Sequence, residues 1–112
     1  MNKQVVLIGG YSEEEAVLRP VARILGVPQA RIIGWHEYRS LVSGGDNLLP
    51  KLEEPSVVLS HSSGVLLAKY FLDSQSELVK SLILVSPVGH ENLPVRKSLW
   101  RFSKKNFLLF AL

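Results

Sequence analysis

The stretch SHSSG, residues 60–64, stands between the apolar runs PSVVL (55–59) and VLLAKYFL (65–72). The first run is short, β-branched and preceded by proline, which reads as a buried strand. The second is apolar on every side of a helical wheel, which reads as a buried helix. A small, hydroxyl-rich cluster between the two is either a plain loop or a serine held on a sharp strand-to-helix turn. In a G-x-S-x-G elbow the central serine is the exposed one, and its flanking positions are small because backbone passes close by. Here Ser62 is central, Gly64 keeps the second glycine and Ser60 replaces the first.

Working outward, the chain alternates strand and helix. Residues 4–8 form an apolar run stopped by Gly9 and Gly10. Residues 12–25 read as a helix: Ser12 with Glu15 makes a capping box, and three glutamates suit the positive end of a helix. Val17, Leu18, Val21, Ile24 and Leu25 share one face. Pro20 either kinks this helix or stands in the first turn of one that begins there. Gly26 ends it. Residues 30–35 give a second strand. Residues 37–54 are weakly patterned and read as a loop with a short helix near 47–52. Residues 56–60 and 81–86 supply a third and a fourth strand. Each strand is apolar on both faces, the mark of a parallel sheet covered on both sides. The expectation is a three-layer α/β fold with a short, mostly parallel sheet of about four strands. Residues 1–92 form its core and 93–112 a basic amphipathic tail.

Composition narrows the function classes. The 112 residues contain no cysteine, which removes disulfides and thiolate metal sites. The net charge of +3 is misplaced evidence for nucleic-acid binding. Residues 1–95 hold eight Lys and Arg against ten Asp and Glu, and the other five basic residues follow Val95. A basic face across the protein is therefore not expected. Gly9 and Gly10 alone do not make a dinucleotide fingerprint, and Glu13, Glu14 and Glu15 would oppose a pyrophosphate. No cofactor is expected, and no metal, since His36, His61 and His90 match no ligand spacing. No leader or membrane span is visible, so the expected compartment is the cytoplasm.

Three blocks in order, VVLIGGY (5–11), VVLSHSSGVLLAKYFL (57–72) and VKSLILVSPVGH (79–90), resemble the α/β-hydrolase superfamily, in its N-terminal part only. The resemblance covers roughly residues 3–92 and implies the strand order second, first, third, fourth. It implies a small-molecule acyl substrate, with an esterase- or lipase-like Ser62 as nucleophile. The backbone N–H of Ser63 would be one oxyanion donor, and that of Tyr11 or Gly10 the second. The superfamily's triad runs serine, acid, histidine, and here the acid is missing. Asp73, the only aspartate after Ser62, falls at the far end of the elbow helix. His90, with Glu91 beside it, is the candidate base. The competing expectation is a non-catalytic, truncated or degenerate module that binds a small apolar ligand or a partner. The 93–112 tail looks like the opening of a cap. Its apolar side would favour self-association or a membrane surface.

Overall fold

The computed structural model describes residues 4–44 and 50–86, together with the backbone of strand 107–110. Five strands, β1 (Gln4–Ile8), β2 (Arg31–Ile33), β3 (Ser56–His61), β4 (Val79–Val85) and β5 (Phe107–Phe110), form one sheet in the order β2-β1-β3-β4-β5. Every neighbouring pair is parallel. The expected order of the first four strands is thus observed. The fifth strand is an addition: residues read as the end of an amphipathic tail extend the sheet beside β4. An apolar run of that length serves a helix or a strand equally, and periodicity alone does not separate them. His90 and residues 93–106 of the tail lie outside the described residues, as do 111–112.

Among the described residues, three α-helices flank the sheet: α1 (Glu15–Ile24), α2 (Trp35–Gly44) and α3 (Val65–Gln75). α2 and α3 cover one face. There Tyr38, Leu41, Leu67, Ala68 and Phe71 pack on Val6, Ile8, Val58, Leu82 and Leu84. α1 covers the other, where Leu18 and Ala22 meet Leu7, Ala30 and Ile32. The side of each helix follows from direction. The chain steps one way from β1 to β2 and the opposite way from β2 to β3 and from β3 to β4. Right-handed crossovers then place α1 opposite α2 and α3.

Several local expectations are corrected. α1 begins at Glu15, before Pro20, and runs through it. The Ser12–Glu15 capping box does not form: Glu14 is the N-cap without a side-chain bond, Ser12 sits in a turn at φ +59°, and the Glu15 carboxylate pairs with Arg19. Only Leu18 and Ala22 of α1 are buried, while Val17, Val21, Ile24 and Leu25 are exposed. Gly26 does end the helix, at φ +79°. Val27 N–H bonds the Ala22 carbonyl and Gly26 N–H that of Arg23, the paired bonds of a Schellman motif. Of the helix expected near 47–52, residues 47–49 lie outside the described residues, and the segment read as loop upstream holds α2, where Trp35, Tyr38, Leu41 and Val42 form the inward stripe. Residues 50–53 are not helical.

Candidate active site

The carboxyl ends of β1, β2 and β3 meet at one edge of the sheet, and the site is built from the three loops that leave it. β3 ends at His61 with extended backbone (φ −120°, ψ 136°). The next residue, Ser62, has φ +57°. Left-handed backbone at a non-glycine residue costs about 1–3 kcal/mol and persists only where surrounding structure imposes it. The chain then makes one 3₁₀ turn (Ser62–Gly64) and enters α3. The partial positive charge at the start of α3 faces the same edge.

The surrounding structure is tight. A Cβ on Gly64 would stand 3.0 Å from the Ile8 carbonyl oxygen and 3.1 Å from that of Gly9. A Cβ on Gly10 would stand 3.0 Å from the His61 carbonyl oxygen, the Ser62 Cβ and the Ser63 Oγ. The two glycines let the β1 loop and the elbow press against each other, which explains why small residues occupy both positions. Ser60, which replaces the elbow's first glycine, is 1% exposed, and its hydroxyl has no hydrogen-bond partner among the described residues.

The two loops are also bonded. Tyr11 N–H donates to Ser63 Oγ at 3.1 Å. Gly10 N–H donates to the Glu13 carboxylate at 2.7 Å, so of the two candidate amides in this loop only that of Tyr11 is directed at the elbow. The same Glu13 oxygen lies 2.8 Å from His61 Nδ1. A carboxylate only accepts, so Nδ1 carries the proton in this pair. His61 is half-buried and bound to the start of the α1 loop.

α2 supports the elbow from the other side. The Tyr38 hydroxyl donates to the Ser63 carbonyl at 2.7 Å. Tyr38 stacks on Trp35 with centroids 5.3 Å apart, and Trp35 meets the Tyr11 ring edge-on at 5.1 Å. The Arg39 guanidinium lies over the Trp35 ring, 5.9 Å from its centroid. Burial pushes the Tyr38 phenol above its ordinary pKa, with Tyr70 adding to the shift.

Of the sequence candidates, Ser62, Ser63, Tyr11 and Gly10 come together at this edge. His90 lies outside the described residues. Asp73 pairs with Lys69 along α3. His36 is exposed on α2 beside Arg39. No group of three potential metal ligands occurs among the described residues. Nor is any helix there long and apolar enough to cross a membrane. Sequence reasoning missed Glu13 and Tyr38. The spacing of Gly10 and Glu13 was the available signal for the first, since a glutamate three residues on can reach back to a backbone N–H.

Among solved structures, the chain is similar to two crystal structures of the pyrethroid hydrolase PytH, one of a variant and one with BIF. For the first, identity is 20% and the TM-score 0.53, over 77% of this chain and 40% of that one. For the second, identity is 19% and the TM-score 0.53, over 76% and 40%. The chain therefore has part of the α/β-hydrolase fold and spans about 40% of the length of these neighbours. No family model matches the sequence, and no curated protein does.

Proposed function

We propose that this chain carries the nucleophile half of a serine-hydrolase site, with Ser62 attacking an ester or similar acyl substrate. The observation that supports this most directly is the left-handed backbone of Ser62 at the head of α3, packed against Gly10 and Gly64. Strain held at one serine between a parallel strand and a helix is what an elbow nucleophile requires.

In this reading Ser62 Oγ adds to the acyl carbon, and the carbonyl oxygen becomes an oxyanion. The Ser63 and Tyr11 amides hold it. The Tyr11 N–H now rests on Ser63 Oγ, and a hydroxyl rotor is readily displaced by a negatively charged oxygen. The alcohol leaves with the proton taken from Ser62. Water then cleaves the acyl-enzyme to the acid and regenerates the serine. A base must carry the proton in both steps, because an unassisted serine is a weak nucleophile at neutral pH. His90 is proposed for that role.

A second reading, a binding module that keeps the elbow as an inherited fold feature, is favoured by the pairing of Asp73 with Lys69, away from Ser62. Fluorophosphonate labelling separates the two, read by intact mass with Ser62→Ala as control and circular dichroism as the check on folding. Labelling of the wild type and not of the variant supports the hydrolase reading. No labelling of the folded wild type sinks it and leaves the binding module.

A further inference from the structure

Glu13 is bonded to all three loops at the site edge. Its carboxylate accepts from Gly10 N–H at 2.7 Å and holds His61 Nδ1 at 2.8 Å. Its own N–H donates to the Gly10 carbonyl at 3.1 Å, and its carbonyl accepts from Trp35 N–H at 2.8 Å. Those partners follow β1, end β3 and follow β2, respectively. The Glu13 side chain is 23% exposed. Gly10 and His61 both adjoin the elbow: the Cβ position of Gly10 is 3.0 Å from Ser62 Cβ, and His61 precedes Ser62 in the chain. No other carboxylate among the described residues bonds to either of them. Glu14 and Glu15, its neighbours, bond instead to His36 N–H and Arg19.

We propose that Glu13 is a positioning residue for the Ser62 site: one carboxylate oxygen, shared by Gly10 N–H and His61 Nδ1–H, fixes the β1 loop on the elbow and so sets where the Tyr11 amide points. This rests on the hydrolase reading for its catalytic consequence but not for its geometry. Both bonds go to the same oxygen, so an amide oxygen can replace it. The bonding demands an acceptor at that distance rather than a full charge.

The test compares Glu13→Gln, Glu13→Ala and Glu13→Asp in the full chain. Glu13→Gln keeps the acceptor. Glu13→Ala removes it, and Glu13→Asp withdraws it by one methylene. In ¹H–¹⁵N spectra the Tyr11 and Ser63 amide resonances stay in place in Glu13→Gln and move in the other two. If Glu13→Ala does not fold, Glu13→Asp carries the comparison. In fluorophosphonate kinetics, misplacing the loop lowers the inactivation rate constant by about 10–100-fold at nearly constant inhibitor affinity, with Glu13→Gln rescuing most of it. Unmoved Tyr11 and Ser63 resonances in Glu13→Ala or Glu13→Asp overturn the proposal. So does a wild-type inactivation rate constant in those variants. If the wild type itself is not labelled, the hydrolase reading falls, and the amide resonances alone decide whether Glu13 sets the loop.

Discussion

The Tyr38 hydroxyl reaches the Ser63 carbonyl at 2.7 Å across a separation of 25 residues. It joins the first turns of α2 to the residue after the strained serine. The Tyr11 amide binds the hydroxyl of the same Ser63. Ser63 is therefore gripped through its backbone by α2 and through its side chain by the β1 loop, and Ser62 has little room to relax.

Removing the Tyr38 hydroxyl has two readable effects. Tyr38→Phe is expected to cost about 1 kcal/mol of stability, the net worth of one hydrogen bond. It also changes the alkaline limb. The folded-state pKa of Tyr38 is raised above 10.0, so ionisation is easier in the unfolded chain. Below that value the phenol is protonated in both states and contributes no pH dependence. As pH rises from there through the folded-state pKa, stability falls. Urea midpoints taken at about pH 8 and 10.5 should show a smaller alkaline loss in Tyr38→Phe than in the wild type. Equal losses would mean that Tyr38 is not the titrating group.

Ser62→Gly tests the strain without reference to activity. Glycine adopts φ +57° freely, although it also adds freedom to the unfolded chain. The net expectation is a gain of up to about 1 kcal/mol in unfolding free energy. A clear loss of stability would argue against a strained elbow.

Gly64→Ala should be among the more harmful single-methyl changes in the chain. Its new carbon would meet two backbone carbonyls at 3.0 and 3.1 Å, and backbone of β1 cannot swing away as a side chain does. An overpacking cost of about 1–3 kcal/mol is expected, visible as a lower thermal midpoint. An unchanged midpoint would show that the elbow and β1 are not so closely apposed.

Ser60→Ala goes the other way. The hydroxyl is buried on the α3 side of the sheet with no partner among the described residues. Deleting an unsatisfied buried group should raise stability by about 1 kcal/mol. Loss of stability instead would reveal a hydrogen bond to that hydroxyl.

What could be read from sequence divides along a physical line. β1, β3, β4 and α3 are dense apolar runs bounded by glycine, proline or serine, and burial on both faces leaves that mark whatever the neighbours are. The elbow was legible because Ser62 and Gly64 combine a local pattern with its local context. α2 was not, although Trp35, Tyr38 and Leu41 were visible. Gly44, Gly45 and the polar residues before them make the segment resemble a loop, and its helicity rests on docking to α3 and the sheet. The exposed Val21 and Ile24 of α1 show the same limit from the other side. Helical spacing identifies an apolar face, but Ala22, small enough for close approach, sets which edge of it meets the sheet. Glu13 eluded the reading because a first-turn glutamate has a sufficient local explanation, and its partner His61 lies 48 residues away.

The all-parallel pairing has a consequence for how the molecule is made. No two neighbouring strands can be closed by a hairpin, so no pair forms early from local sequence. β1 is synthesised before β3, yet its register partner for Gln4 is Ser56, 52 residues later. Until β3 has been synthesised, one edge of an apolar strand stays unpaired and open to other chains. The pace of translation between β2 and β3 therefore sets how long that edge of β1 stays open to other chains.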